Sequence, residues 1–170
     1  SPTSASDVFV ELGDKIPLIL DGGNCSIGIE SSVIDLSEKI PCLLRSGFIT
    51  KEQIEEVLGY KINEPDIVSG EYKSPGMLLS HYAPNLPLRL NASNVNKNEG
   101  LLAFGDEVTN ADIMLNLSDS SNLEEAATNL FAYLRRLDNM PEITSIAVMK
   151  IPDIGIGRAI NDRLKRAASR

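Results

Sequence analysis

The sequence predicts an α/β protein built in two layered parts, and three observations carry that prediction. Short apolar runs of strand length alternate with helices that carry cap signals. Apolar residues make up 42% of the 170 and charged residues 24%, the balance of a globular chain, and without tryptophan its core is aliphatic. Pro65, Gly70, Pro75, Gly76, Pro84 and Pro87 then interrupt the chain where neither a long helix nor a central strand can form.

Ser4 caps a first helix running to about Leu12, with Ala5, Val8 and Leu12 on one side. Ile16–Leu20 reads as a strand stopped by Asp21-Gly-Gly-Asn24, and two more strands follow over Ile27–Leu36 and Pro41–Leu44. Thr50 and Gln53 form a capping box for the next helix, Ile49 and Ile54 its hydrophobic staple, and Gly59 its stop. These elements make a first unit over residues 1–64. Residues 65–90 form an arm that holds Met77, Leu78, Leu79, His81 and Tyr82, too apolar for a free tether, so it is expected to lie against a surface.

A second unit spans residues 91–170. Leu101–Phe104 and Ile113–Leu117 read as strands, and Ser121 with Glu124 as the capping box of a long helix to about Asn139. Its apolar positions Leu123, Ala127, Leu130, Phe131, Leu134 and Leu137 keep helical spacing. A strand over Ile143–Ile151 and a helix over Arg158–Ala168 complete the chain.

The net charge is −8, and all of it falls within residues 1–72, which hold 5 basic and 13 acidic side chains. That balance argues against general nucleic-acid binding, which needs clustered lysine and arginine. The basic residues from Arg158 on read as a solvated helix end. Cys25 and Cys42 make no disulfide framework, and one histidine, His81, makes no zinc cluster, so a reduced cytoplasmic setting is expected. No apolar run has membrane-spanning length. The opening Ser1-Pro-Thr-Ser, without methionine, reads as the interior of a longer polypeptide.

Candidate chemistry centres on Arg45, the only arginine before residue 89, which leaves an apolar strand just ahead of Gly47. Its planar fork fits an anion such as phosphate or carboxylate, or else a nearby carboxylate such as Glu30. Ser31 and Ser32, on opposite faces of the preceding strand, offer neutral donors or are satisfied core hydroxyls. Asp21-Gly-Gly-Asn24 is either an anion-facing backbone loop or a tight turn needing positive φ. Tyr82 is either a clamp over a ligand or an anchor for the arm. No serine–histidine–acid arrangement supports a hydrolase triad.

The order of these features resembles one family. Ser1-Pro-Thr, Leu18-Ile-Leu-Asp-Gly-Gly23, Gly28-Ile-Glu-Ser31, Leu44-Arg45-x-Gly47 and Ile49-Thr50 are similar to the closing part of a YrdC-like domain. Ser74-Pro-Gly-Met77 with His81-Tyr-Ala-Pro84 resembles the arm that follows it, and Gly157–Ala168 the end of a second domain. Together they resemble the long, two-domain threonylcarbamoyl-AMP synthases. The implied architecture is the C-terminal remnant of a YrdC-like twisted mixed sheet, the Pro/Gly-rich arm, and a small Rossmann-like α/β domain.

The resemblance implies that threonine, bicarbonate (or CO2) and ATP give threonylcarbamoyl-AMP and pyrophosphate, with Mg²⁺ accompanying the ATP. Downstream threonylcarbamoyl-transfer machinery would then modify adenosine 37 of tRNA in the cytoplasm, without a tight grip on nucleic acid by this chain. By position, Ser1 would contact the nucleotide, Ser31 the threonine carboxylate, Arg45 the ATP phosphates, and Tyr82 would close over the nucleotide. Ser32 stands where the family has threonine, Ser46 where it has proline, and Leu78 and Ser80 where it carries basic residues. The family's Lys/Arg motif and Ser-x-Asn loop would precede Ser1, so the 170 residues alone are expected to be inactive. A non-catalytic fragment of a split or decayed synthase, or an unrelated α/β binding module, are the other readings.

Overall fold

The computed structural model describes residues 1–64, 82–106 and 111–169. Its chain runs α1 (Ala5–Leu12), β1 (Val33–Asp35), β2 (Cys42–Arg45), α2 (Lys51–Leu58), β3 (Leu88–Arg89), β4 (Glu99–Ala103), β5 (Met114–Asn116), α3 (Leu123–Asp138), β6 (Ser145–Val148) and α4 (Ile156–Ala168). The arm lies outside the described residues as far as His81.

The helix signals of the first part hold. Ser4 accepts from the Asp7 amide to cap α1, and Thr50 and Gln53 exchange the reciprocal bonds of a capping box on α2. Gly59 ends α2 in the left-handed region at φ 76°. Of the three predicted strands, the one over Pro41–Leu44 forms with a one-residue shift as β2, and the other two are lost or shortened. Ile16–Leu20 forms none, and Leu18 and Leu20 stand 71% and 86% exposed. The strand expected over Ile27–Leu36 shrinks to β1, because the backbone before it is committed elsewhere. A Cβ on Gly28 would meet the Thr128 carbonyl at 2.2 Å, so this glycine lies directly on α3. The Glu30 carbonyl accepts from Phe48 N at 3.3 Å, and the Ser32 hydroxyl donates to the Ile49 carbonyl. What remains pairs antiparallel with β2, and Cys42 bridges to Asn63.

The second part is a four-stranded parallel sheet in the order β3-β6-β4-β5. Its first strand, β3, falls inside the stretch read as arm; β4 starts two residues before its predicted run and ends one residue short of it, while β5 and β6 are trimmed at both ends. Alternation along β4 sends Leu102 to one face and Leu101 and Ala103 to the other. The first face is covered by α3 and α4, whose stripes bury Ala127, Leu130, Phe131, Leu134, Ile160 and Leu164 against Leu102, Ile146 and Val148. Helix α3 is capped by Asn122, not Ser121. Ser121 sits at φ 58°, and Asn122 Oδ1 accepts from Glu124 N at 2.8 Å and Glu125 N at 3.0 Å. Helix α4 starts at Ile156, two residues before the predicted start.

Ile29 joins the helix-side core at 5% exposure, with Phe48 and Tyr82 packed at its margin. The segment from Ser26 to Ser31 therefore crosses the α3–α4 layer. Thr128 Oγ1 donates to the Ser26 carbonyl at 3.0 Å and fixes the crossing. The two parts share a seam, and the candidate site lies on it.

Candidate functional site

Gly47 explains how the polar residues of the first part come together. A Cβ there would meet Ser32 N at 2.3 Å and the Glu30 carbonyl at 2.4 Å, so only glycine lets the chain after β2 lie on the Glu30–Ser32 backbone. That contact sets Arg45 beside Ser31: Nε donates to the Ser31 carbonyl at 3.1 Å, and Nη2 reaches its hydroxyl at 3.4 Å. The ion pair weighed between Arg45 and Glu30 is replaced by another. Glu30 Oε2 accepts from Arg163 Nε at 3.1 Å, while its Oε1 accepts from the Ser1 hydroxyl.

Ser1 is held from the second part as well. Arg135 on α3 donates from Nη1 to the Ser1 carbonyl at 2.6 Å, and from Nη2 to Thr3 Oγ1 at 2.9 Å and Asp7 Oδ2 at 2.5 Å. Burial opposes ionisation of Asp7, but the Thr3 amide and hydroxyl with Arg135 outweigh it and lower its pKa.

Tyr82 arrives from the arm in the left-handed region, φ 71°, where a bulky side chain is rarely found. Its ring packs on Phe131 at 5.3 Å between centroids, and the Arg163 guanidinium carbon lies 5.6 Å from its centre. Burial pushes its hydroxyl pKa up, and a hydrogen bond to Glu30 adds to the rise against the opposing charges of Arg163 and Arg45. Burial also opposes charge on Glu30, yet the Ser1 hydroxyl and Arg163 overcome it and hold that carboxyl at about 2. The structure thus brings all four sequence-selected residues, Ser1, Ser31, Arg45 and Tyr82, around Glu30 and Arg163.

Arg163 overturns the reading of the last helix as a solvated basic end. It is 1% exposed, and its Nη1 donates to Asp162 Oδ2 at 2.9 Å. A signal for it was present: positions 156, 159, 160, 163, 164 and 167 form one buried stripe on α4, and an arginine inside such a stripe requires a partner. Arg135 flanks the buried stripe of α3 with its side chain 27% exposed, and carried no such signal. The Asp21-Gly-Gly-Asn24 loop is a turn with Gly23 at φ 84° and Gly23 N bonded to Asp21 Oδ1 at 2.9 Å, apart from the cluster and with no strand on either side. A cleft of about 430 Å³ opens beyond Arg135, lined by Thr3, Asp7, Cys25, Thr128 and Arg136 among others, and it contains none of Glu30, Ser31, Arg45 and Tyr82.

The site as it stands presents one partly exposed guanidinium, Arg45, beside the Ser31 hydroxyl, while Arg163 is sealed and neutralises Glu30. A guanidinium with a neighbouring hydroxyl suits an anionic ligand group.

Comparison with known proteins gives consistent matches. Residues 49–169 match the family model described as threonylcarbamoyl-AMP synthase, C-terminal domain, and residues 1–47 match a Sua5/YciO/YrdC model described as telomere recombination. Threonylcarbamoyl-AMP synthase of Bacillus subtilis is 35% identical over 99% of this chain and 53% of its own length. That of Pyrococcus abyssi is 34% identical over 99% and 54%. The crystal structure of P. abyssi Sua5 complexed with L-threonine superposes with a TM-score of 0.84 at 34% identity, covering 99% of this chain and 54% of that one. A variant of that protein with an adjacent histidine–tyrosine pair changed to alanine gives a TM-score of 0.81 at 32% identity, covering 99% and 53%. The chain spans about half the length of the curated relatives it matches.

Proposed function

Because the chain belongs to the threonylcarbamoyl-AMP synthase family, we propose that the cluster around Glu30 is the C-terminal side of a site joining threonine, bicarbonate (or CO2) and ATP into threonylcarbamoyl-AMP and pyrophosphate. The single observation that carries the reading is convergence: from four separate segments, Ser1 bonds to Glu30, Arg45 bonds to the adjacent Ser31, and Tyr82 lies under the Arg163 that holds Glu30. The activity named for the relatives and the threonine in the P. abyssi crystal structure supply the substrate class.

The chemistry fits these groups. The threonine amine adds to CO2 with loss of a proton, and a carbamate oxygen then attacks the α-phosphorus of ATP. The bond from that phosphorus to the bridging oxygen breaks, and its electron pair leaves with pyrophosphate. Two anions approach each other in that step, so fixed cations and donors are the main device. Arg45 is assigned to the phosphates, Ser31 to the threonine carboxylate, Ser1 to the nucleotide and Tyr82 to closure over it. His81 is the chain's one histidine and stands directly before Tyr82, and a histidine–tyrosine pair is what the P. abyssi Sua5 variant replaces with alanine. Mg²⁺ travels with the nucleotide in this proposal. Among the described residues no three His, Cys, Asp or Glu converge on a metal, so no step is routed through one.

The units are assigned as residues 1–64, 65–90 and 91–170, with the first belonging to the YrdC-like domain. The product goes to tRNA threonylcarbamoyl-transfer machinery in the cytoplasm. No helix among the described residues is long and apolar enough to cross a membrane.

The test is pyrophosphate release by the intact gene product supplied with threonine, bicarbonate and ATP. Arg45→Ala should lower kcat/KM about 10²–10³-fold, the usual cost of deleting one fixed transition-state donor. The 170 residues alone should give no turnover. Pyrophosphate release indifferent to threonine, or to Arg45, would reject the assignment.

A further inference from the structure

Arg163 has the lowest exposure of any charged residue described, 1%. Two of its nitrogens are engaged, Nε with Glu30 and Nη1 with Asp162, while the sealed Nη2 has no hydrogen-bond partner. Stability gives no reason to keep such a group. A buried ion pair is often matched or bettered by apolar side chains of similar volume, and leucine would suit the α4 stripe. What a guanidinium does there, and leucine could not, is orient polar groups that arrive from other segments. Glu30 accepts from the Ser1 hydroxyl, and the Tyr82 ring lies beneath the guanidinium with its hydroxyl under the influence of the Glu30 charge. Both hydroxyl groups belong to the nucleotide side of the proposed site. Ser31 and Arg45 are placed differently, by the Gly47 backbone contact and by their own hydrogen bonds.

We propose that Arg163 is a positioning residue for nucleotide binding: from α4 in the second unit it holds Glu30 and through it the Ser1 hydroxyl, and it holds the Tyr82 ring directly, in the arrangement that receives ATP. The inference rests on the synthase reading. It makes the second α/β unit a working part of a site whose other residues lie outside it, and it predicts an asymmetry between substrates. Losing Arg163 weakens ATP binding and leaves threonine binding largely as it was.

Two substitutions separate the charge from its geometry. Arg163→Met keeps the stem and removes the fork, whereas Arg163→Lys keeps the charge without the planar donors. In the intact gene product, Arg163→Met should raise KM for ATP at least about tenfold, as loss of a charge-assisted hydrogen bond does, with KM for threonine within about twofold. Arg163→Lys should restore part of the difference. Arg163→Met strands the Glu30 carboxylate, so the pair Arg163→Met/Glu30→Gln is made alongside it, expected to regain folding while KM for ATP stays high. A tyrosine ζ-¹³C spectrum, with Tyr82 assigned by Tyr82→Phe, reports the coupling without any turnover. The Tyr82 signal should move in Arg163→Met and return toward its place in Arg163→Lys. If wild-type protein lacks synthase activity, the synthase reading fails, and the Tyr82 signal with ATP binding by equilibrium dialysis still decides the role of Arg163. An unmoved Tyr82 signal, or equal losses for ATP and threonine that track the folded fraction, would overturn the proposal.

Discussion

The first 64 residues bury three apolar side chains, Ile29, Leu43 and Ile62, whereas the stretch from Ala92 to Ala167 buries twenty-two. The contrast repeats on the surface. Among the described residues, thirteen large apolar side chains stand exposed: eleven lie between Phe9 and Tyr60, and two, Met114 and Ile154, lie in the second part. A parallel sheet covered by two helices makes its own core; the first part has no comparable one. It is attached to the second by polar bonds and close backbone contact, through Arg135 to Asp7, Arg163 to Glu30, Arg158 to Glu52, and Gly28 on the α3 carbonyls. Within the described residues, the seam that carries the candidate site is held by charge and shape, and its buried apolar support comes from the second part together with Ile29.

The sharpest way to break this comparison is to truncate apolar side chains on either side of the seam. Leu130→Ala removes a fully buried side chain from the helix–sheet core and should cost about 2–5 kcal/mol, the range for such cavities. Val57 is 88% exposed on α2, and Val57→Ala should change stability by no more than about 0.5 kcal/mol. Urea unfolding followed by circular dichroism measures both. Comparable losses would mean that the first part contains a core of its own.

The same asymmetry governed what could be read from sequence. Helix α3 was legible because its apolar stripe faces the sheet its own neighbours build. The Thr50–Gln53 box was legible because a capping box is closed within four residues. Strands were overextended in the first part, where the runs Ile16–Leu20 and Ile27–Leu36 have the right apolar content. Strand formation also needs a partner edge, and composition does not report one. Among the site residues, Arg45 and Ser31 stood out by type and spacing. Glu30 was legible only as a possible counter-ion, and it pairs with Arg163, 133 residues away. That contact depends on how the two parts dock, and no local pattern encodes it. The placement of Arg163 on a buried stripe was local information, obscured because its basic neighbours matched the expectation for a helix C-terminus.

A smaller effect tests the seam through its charge. Glu30 has a folded pKa of about 2 against an ordinary 4.5, so its ionised form is favoured by folding. A depressed carboxylate contributes stability that is complete above the unfolded value and is lost as pH falls from about 4.5 toward 2. After allowance for partial exposure, the loss should be on the order of 2 kcal/mol. Asp7 is depressed too and adds in the same direction, so the side-chain ¹³C titration of Glu30 itself is the discriminating measurement. A midpoint near the ordinary value would show that Arg163 and Ser1 do not hold this carboxylate.

The helix caps give the smallest effect and the finest comparison. Thr50 and Asn122 each accept from the first amides of a helix, but α2 buries only Glu55 whereas α3 buries six side chains. Thr50→Ala and Asn122→Ala should each cost about 1 kcal/mol, since a cap satisfies the same orphan donors wherever the helix lies. The two losses should differ in reach. Helix α3 packs on the sheet, so Asn122→Ala should lower the single unfolding transition of the second part. Helix α2 has no such backing, and Thr50→Ala should instead speed hydrogen exchange of the amides of Lys51–Leu58 while leaving α3 and the sheet unchanged. Ser121→Ala supplies the control: with Ser121 at φ 58° and Asn122 as the cap, removing its hydroxyl should leave exchange along α3 as it was. Faster exchange at the start of α3 in that variant would return the cap to Ser121.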